Sequence, residues 1–371
     1  MKFTANSTEL QRTLSKLGGV IPSKSTMPIL ENILFELSGG SLTMTATDLA
    51  VSLTVTQTVD GKEDGRIAIP AKRLMDTMRS LPDTTASFLI DTTSSKVRIH
   101  TETGQYQLTG EAAKEYPQSP PFKAQEQFSV ETSLLRRIIH RTAFAVSTDE
   151  LRPAMMGVLF QAKAEEFRAV ATDGHRLVRF IHRFTKPIAL KKDIIVPAKA
   201  LHAVLKSVDD GETTISISDT HVRFAVGDSV LISRLIDETY PNYESVIPTD
   251  NTKVVTVGRE PLIASIRRVA LYASATTHQV RFQIGGETVD ISAQDVDFGG
   301  EAAEKLPCSY TGEAMEIGFN SVYLVDILSH LEGDQVELRF SAPTKAGIVA
   351  PAGSGSQENV IMLVMPVRLA G

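Results

Sequence analysis

The sequence predicts an α+β protein of three similar domains, each holding two helices and about eight mostly antiparallel strands. Three observations predict it. First, a set of markers recurs with one period. Ile67–Leu81 aligns without gaps to Ile194–Val208, and both fit Ile317–Leu331, at offsets of 127 and 123. A strand ending in aspartate occurs as Thr45–Asp48, Val170–Asp173 and Ser292–Asp295, and Tyr116-Pro117 returns as Tyr240-Pro241, 124 residues on. Three units of about 124 residues fill a chain of 371, which sets domains at 1–123, 124–249 and 250–371. Second, stretches such as Thr214–Ser218 and Val289–Ala293 alternate with a period of two, as half-buried strands do. Third, six segments carry apolar residues at helical spacing.

Taken in order, each unit opens with a short strand (Lys2–Thr4, Gln127–Val130, Lys253–Val257) that leads into a helix. In 7–17 the stripe is Leu10, Leu14 and Leu17, with Arg12 and Lys16 opposite. In 131–144, Leu134, Leu135, Ile138, Ile139 and Thr142 share one arc, while Arg136, Arg137, His140 and Arg141 occupy the other. Strands rich in β-branched residues follow, at Ile33–Leu37, Ser41–Thr45 and Val51–Thr58 in the first unit. A second helix begins at Pro70 or Pro197, where a proline in the first turn loses no hydrogen bond. Turns at Asp83, Asp210-Gly211, Gly227-Asp228, Gly285-Gly286 and Gly333-Asp334 punctuate the closing strands.

Composition narrows the class. With 42% hydrophobic and 22% charged residues, the chain has apolar surface enough for cores and does not read as disordered. The apolar run Val360–Met365 is far shorter than the roughly 20 residues a spanning helix needs. A single cysteine, Cys308, forms no internal disulfide, and no apolar stretch follows the N-terminus, so a cytoplasmic location is expected. The net charge is −6, against the usual basic footprint of a nucleic-acid binder. Its distribution tells more. The helical segments 7–17, 70–81, 131–144, 197–208, 259–271 and 320–331 carry +1, +2, +2, +2, +2 and −1, so the helices hold +8 and the rest of the chain −14. A surface made of these helices is basic on an acidic protein.

The sequence contains no phosphate-binding glycine loop, no dinucleotide fingerprint, no zinc-protease helix and no nucleophile elbow. One cysteine and eight scattered histidines supply no metal-ligand spacing. Asp173 with His175, and Ser218 and Asp219 with His221, are the only groupings that invite an acid–base reading, and neither shows a nucleophile held against a base. The residues read as a binding scaffold, with a protein-interaction scaffold that ignores DNA, or an Asp/His hydrolase, as the alternatives.

The three tandem units, the segment Ala171–Leu177, the stretch Met315–Asn320 with Tyr323, and the ending Val364–Leu369 closely resemble the bacterial DNA polymerase III β subunits, the sliding clamps. The resemblance runs from Met1–Thr4 through Met27–Leu30 to the C-terminus. It implies the DNA-clamp fold and a head-to-tail homodimer of six domains, whose twelve helices line a hole for duplex DNA. It implies a replication processivity factor rather than an enzyme, with no cofactor and no metal, sliding on DNA without reading sequence. The implied partners are double-stranded DNA, a second copy of the chain, the replicative polymerase's catalytic subunit, the clamp loader, and repair polymerases and other clamp-motif proteins. Lys24 matches a basic position that faces DNA in the family, and Arg136, Arg137, Arg141, Lys199 and Arg268 add the basic helix faces. The ring joint is expected at Tyr106 and Leu108 against Leu271 and Tyr272. The client-peptide groove is expected at Met155, Thr172, Gly174, His175, Arg176, Leu177, Pro241, Val246, Asn320, Tyr323, Val364, Met365, Pro366, Val367, Arg368 and Leu369. The chain departs from the family's pattern at Pro153 and Ala154, which follow Arg152, and at Ser245 and Thr277.

Overall fold

In the computed structural model, which describes residues 1–163, 165–185, 187–188, 190–353 and 357–369, the chain alternates long runs of strand with single helices. The first third holds β1 (Lys2–Asn6), α1 (Ser7–Leu17), β2 (Asn32–Ser38), β3 (Ser41–Thr47), β4 (Val51–Thr58), β5 (Asp60–Glu63), β6 (Gly65–Pro70), α2 (Ala71–Ser80), β7 (Thr85–Asp91), β8 (Lys96–His100) and β9 (Gln105–Thr109). The middle third holds β10 (Glu126–Glu131), α3 (Thr132–Thr142), β11 (Gly157–Lys163), β12 (Glu166–Thr172), β13 (Arg176–Arg183), β14 (Ile194–Pro197), α4 (Ala198–Ser207), β15 (Glu212–Ile217), β16 (His221–Val226) and β17 (Ser229–Arg234). The last third holds β18 (Lys253–Gly258), α5 (Arg259–Val269), β19 (Gln279–Gly285), β20 (Thr288–Asp295), β21 (Gly300–Ser309), β22 (Met315–Asn320), α6 (Ser321–Ser329), β23 (Gln335–Phe340), β24 (Gly347–Pro351) and β25 (Glu358–Val364).

The expected strand–helix order of each unit is present, and α1 has the bounds its leucine stripe predicted. Pro70 and Pro197 sit one step earlier than expected. Each ends a strand and caps the following helix from outside its first turn, with extended ψ of 112° and 136°. A proline there still leaves no helical N–H unsatisfied.

Strand pairing crosses the sequence repeats. β4 pairs with β17, and β13 pairs with β25, so sheets run from one repeat into the next. The chain divides into two compact units, Met1–Arg136 with Val196–Leu235 and Arg137–Ile195 with Ile236–Gly371. The first unit holds a five-stranded sheet, β5-β1-β7-β8-β9, and an eight-stranded one, β10-β15-β16-β17-β4-β3-β2-β6. Leu10, Leu14 and Leu17 of α1 and Leu74 and Met78 of α2 are buried in this unit, where Phe3 stacks on Phe88 with ring centres 4.5 Å apart. Asn6 caps α1 by accepting from the amides of Thr8 and Glu9, which replaces the hydrogen bonds a helix start lacks.

The second unit is built on the sheet β14-β11-β12-β13-β25-β24-β23-β18-β21-β20-β19-β22. Phe282, Phe319 and Phe340 are packed together in its interior, two of them edge to face at 5.7 Å. A second apolar cluster, Leu159, Val170, Leu177, Tyr243, Ile348 and Leu363 among others, lies under the β12–β13 hairpin.

Candidate functional site

The aspartate that ends the marker strand caps a turn through Oδ1 in every repeat. At Asp48 and Asp173 the turn is the same, with Leu49 (φ +76°) and Gly174 (φ +90°) in the left-handed position, whereas after Asp295 that position falls at Gly299, four residues on. Asp48 Oδ1 accepts from the amides of Ala50 and Val51 at 3.0 and 2.7 Å. Asp173 Oδ1 accepts from His175 and Arg176 at 2.8 and 2.9 Å, and Asp295 Oδ1 from Asp297 and Phe298 at 3.0 and 3.3 Å. A short carboxylate reaching the amides two and three residues on is the ordinary way such a turn is fixed, so the repeat marker is a backbone requirement. The second carboxylate oxygen differs among the three. In Asp48 it holds Lys199 and in Asp173 it holds Arg176 Nε at 3.0 Å. That of Asp295 has no side-chain partner among the described residues.

Around the Asp173 turn the expected groove residues converge. Gly174 has φ +90°, which favours glycine although Leu49 takes φ +76° in the matching Asp48 turn, and a Cβ there would stand 2.9 Å from Arg152 Nη1, so the arginine's end would have to shift. Thr172 Oγ1 donates to the Arg176 carbonyl at 2.7 Å and accepts from the Gly174 amide at 3.1 Å. The Arg176 side chain is only 10% exposed and fully engaged. It donates to Asp173, to Asp326 Oδ2 at 2.6 Å and to the Phe144 carbonyl at 3.0 Å. Its guanidinium lies 5.2 Å from the Phe144 ring and 5.0 Å from the Tyr323 ring. A delocalised cation between two aromatic rings adds dispersion and charge–quadrupole attraction to the ion pairs.

That contact belongs to a longer series of stacked groups. His175 lies parallel to Tyr323 at 5.7 Å, Phe144 lies on His330 at 3.9 Å, and His330 meets His140 at 4.7 Å. Asn320 caps α6 by accepting from the Val322 and Tyr323 amides, which fixes the helix that presents Tyr323. The C-terminal segment is tied in by backbone. The Met365 amide donates to His175 and that of Val367 to Gly318, each at 2.9 Å. Gly318 is needed for this approach, since a Cβ would come within 2.7 Å of Leu369.

Leu177 points into the apolar cluster, against which Ala154, Tyr240 and Ile247 pack in part. Tyr240 donates to the Val170 carbonyl at 3.3 Å, and burial raises its phenol far above the ordinary value. Pro241 and Val246 lie on the segment that carries Tyr240 and Tyr243, and Val246 and Met365 are exposed apolar surface. Pro153 and Ala154 form a 3-10 turn with Met155 and Met156, Ser245 donates to the Asn242 carbonyl, and the Thr277 carbonyl accepts from Asn320. Sequence reading missed Phe144, Asp326, Arg152 and Tyr243. Asp326 stands one helical turn past Tyr323, a spacing that signals a shared face once Tyr323 is singled out.

The two groupings considered for acid–base chemistry are otherwise engaged. Asp173 is consumed by backbone amides and Arg176. Ser218 Oγ and the His221 backbone bond each other across a turn, while His221 Nδ1 meets Thr220 Oγ1.

The basic candidates separate by how they are held. Lys24 is exposed and Lys199 is half exposed beside Asp48. Arg268, 59% exposed, forms a two-bond pair with Glu304 that holds the glutamate down at about pKa 2, chiefly through the arginine's hydrogen bonds. Arg136 donates to the Val208 carbonyl and Arg137 to Glu358. Arg141 departs from the solvent-facing arc expected of it. It is 8% exposed, paired with both Glu332 and Glu358, and packed over Phe180. At 100° per residue Arg141 falls only about 20° from Leu134, at the edge of the apolar arc rather than opposite it, and β25 brings Glu358 onto that side and covers it.

Of the expected joint residues, Tyr106 and Leu108 sit on β9, an edge strand of its sheet, beside α2. Together these elements line an open cavity of about 850 Å³. Leu108 is buried within the chain, whereas Leu271 and Tyr272 are 81% and 47% exposed.

Models of the DNA polymerase III beta subunit match this chain in succession, the N-terminal domain at 1–120, the central domain at 129–242 and the C-terminal domain at 244–368. The chain belongs to the DNA polymerase III beta subunit family. The beta sliding clamp of Pseudomonas aeruginosa is 32% identical over 374 residues and that of Escherichia coli K12 28% over 372, with full coverage of both chains in each case. Among solved structures, the sliding clamp of Bartonella birtlesii, bound to griselimycin, superposes over the whole of both chains with a TM-score of 0.93 at 30% identity. That of Pseudomonas aeruginosa, also bound to griselimycin, gives 0.92 at 31%. The beta subunit's three-domain clamp fold is therefore the fold of this chain.

Proposed function

We propose that two copies of this chain close head to tail into a ring around duplex DNA and act as the processivity factor that holds a DNA polymerase on its template. The observation that carries this reading is the end-to-end correspondence with sliding clamps, complete for both chains at a TM-score of 0.93. In it the clamp domains are 1–123, 124–249 and 250–371, and the joint forms from Tyr106 and Leu108 of one copy with Leu271 and Tyr272 of the next. A head-to-tail contact that closes uses two different surfaces on each copy. Two open strand edges supply them. Among the described residues, β9 has no strand on its outer side, and β21 pairs with β18 only at Cys308 and Ser309, so Gly300–Pro307 presents an unpaired edge. Unpaired edges of this kind are templates for strand addition between chains.

Lys24, Lys199, Arg268 and Arg136 are the main DNA contacts in this reading, with Arg137 contributing less and Arg141 serving mostly to hold β25. The groove around Arg176 receives the polymerase's catalytic subunit, the clamp loader, repair polymerases and other clamp-motif proteins as short peptides. Exposed Met365 and Val246 and the apolar cluster beneath Leu177 offer anchors, and the locked Asp173 turn offers a fixed wall.

The direct test is topological. Protein loaded onto a nicked circular plasmid should remain on the circle, leave when the circle is cut, and lengthen the products of its cognate polymerase. Equal retention on linear DNA would sink the ring. Neutralising Lys24, Lys199 and Arg268 should flatten the slope of log retention against log salt by about 0.9 per phosphate lost.

A further inference from the structure

The largest exposed apolar side chains of the chain include two that the joint as described does not use. The β20–β21 hairpin tip carries Val296, 83% exposed, and Phe298, 89% exposed. Water-facing phenylalanine at a loop tip is unremarkable when the loop is slack. This one is built. Asp295 Oδ1 accepts from the Asp297 and Phe298 amides, the Gly299 amide donates to the Asp295 carbonyl at 2.8 Å, and Gly299 takes the left-handed φ of +70° that closes the turn. The chain thus fixes the backbone of the tip and leaves its apolar side chains without a surface to cover them. Most of the entropy of ordering the tip's backbone is already spent, which favours its use as an anchor.

We infer that the Val296–Phe298 tip is a second apolar anchor of the ring joint, seated against the α2/β9 cavity of another copy of this chain beside Leu271 and Tyr272. The inference rests on the ring reading above. Three features select a second copy as the occupant. The tip adjoins the expected joint, since a Cβ on Gly300 would lie 3.5 Å from the Tyr272 ring, so the four apolar residues border one surface. The unpaired edge of β21 starts at this tip, and pairing it with an open edge such as β9 carries the tip toward the cavity flanked by β9. The charges also match. Asp295, Asp297 and Glu301 flank the tip, while exposed Lys72 and Arg73 line the cavity and outnumber its one acid, Asp76, which is paired with Arg79. Opposite charge at the rim steers and registers such a contact, while the buried apolar side chains hold it.

The test is the dimer dissociation constant by sedimentation, with the circular dichroism and melting of the dilute monomer as a check that unit two still folds. V296S/F298S should weaken the dimer about tenfold or more, with the monomer's melting unchanged. If L271A/Y272A dissociates the dimer and V296S/F298S does not, the second anchor is wrong and the ring joint stands. If neither pair changes the mass, the joint itself has been misplaced and the anchor falls with it. Replacing Phe298 by benzoylphenylalanine gives a check that does not depend on a loss. Irradiation should join two copies through residues 70–81 or 105–109. Adducts elsewhere, or none at concentrations where the dimer persists, overturn the inference.

Discussion

The turns at Asp173 and Asp295 share a carboxylate cap and differ in build and use. Both close a marker strand and bind two backbone amides through Oδ1, but the left-handed residue is Gly174 (+90°), next to its aspartate, in the first and Gly299 (+70°), four residues past its aspartate, in the second. At Asp173 the second carboxylate oxygen grips Arg176, whose guanidinium is enclosed by Phe144 and Tyr323, so the surface is completed within the chain. At Asp295 the same carboxylate cap leaves Val296 and Phe298 out in solvent. The repeat therefore preserves the cap, while the residues beside it decide the use. In the proposed ring, one turn is a preformed wall for a client peptide, and the other is half of a contact.

Breaking the wall should cost most. Arg176→Ala leaves Asp173 and Asp326 without their cation and removes the layer between two rings. Deleting one partner of a mostly buried pair costs about 3 kcal/mol or more. Denaturant unfolding should show a loss of that order, and binding of a client peptide, read by fluorescence polarisation, should weaken by more than about tenfold. A variant of near-normal stability would mean that the ion pairs and rings do not act together. The corresponding truncation at the other turn, Phe298→Ala, should leave the stability of the isolated protomer within about 0.5 kcal/mol, because an exposed side chain has no contact to lose.

The two glycines sharpen the comparison at the next scale. Gly174→Ala meets both a disfavoured φ and Arg152 Nη1 at 2.9 Å, whereas Gly299→Ala meets open space and only the φ. Backbone strain alone is worth about 1 kcal/mol, so Gly299→Ala should cost about that. Gly174→Ala should cost about 2 kcal/mol, part of it recovered when Arg152 is also shortened. A double-mutant cycle on denaturation midpoints measures the recovered part, and strict additivity would remove Arg152 from the wall.

These contrasts show what the sequence could and could not disclose. Strand–helix order was legible because alternation and leucine spacing are local, as at Val51–Thr58, whose predicted and observed bounds agree. The three aspartates were legible as a period, but not as turns, since nothing in the string says which amides a carboxylate reaches. His175, Arg176 and Tyr323 were found through family resemblance, while Phe144 was not, because its role depends on a ring placed 5.2 Å from a guanidinium that lies 32 residues on. Charge was the least legible. Arg141, grouped with Arg137 on one polar arc, in fact borders Leu134 on the wheel, and Glu358, from a strand more than 200 residues away, captures both. Long-range pairing chooses which cations remain free, and no helical projection contains it.

The smallest expected effect concerns acidity and tests whether the stack at Asp173 behaves as one body. His330 lies between Phe144 and His140, its Nδ1 2.7 Å from the Asp326 carbonyl. Burial lowers its imidazole below the ordinary value of 6.5, with neighbouring His140 and Arg176 pushing the same way and the Asp326 backbone and carboxylate opposing. A histidine whose folded pKa lies below its unfolded one binds protons more readily when unfolded. Stability is therefore complete above pH 6.5 and declines as the pH falls from 6.5 toward the lowered value, below which the loss stays constant. His182, also lowered by burial and set beside Glu358 and Arg137, loses stability in the same window, and the lowered carboxylates Glu166 and Glu358 act only at pH values below about 4.5. Denaturation midpoints of His330→Phe and His182→Phe at pH 7.5 and 5.5 separate the two histidines. The His330 variant should lose part of the acid sensitivity while keeping peptide binding at pH 7.5, because a phenylalanine ring can continue the stack on Phe144. If the acid sensitivity falls and peptide binding weakens, the stack does not tolerate the exchange of rings, and His330 itself helps position the groove's wall through Phe144 and Arg176.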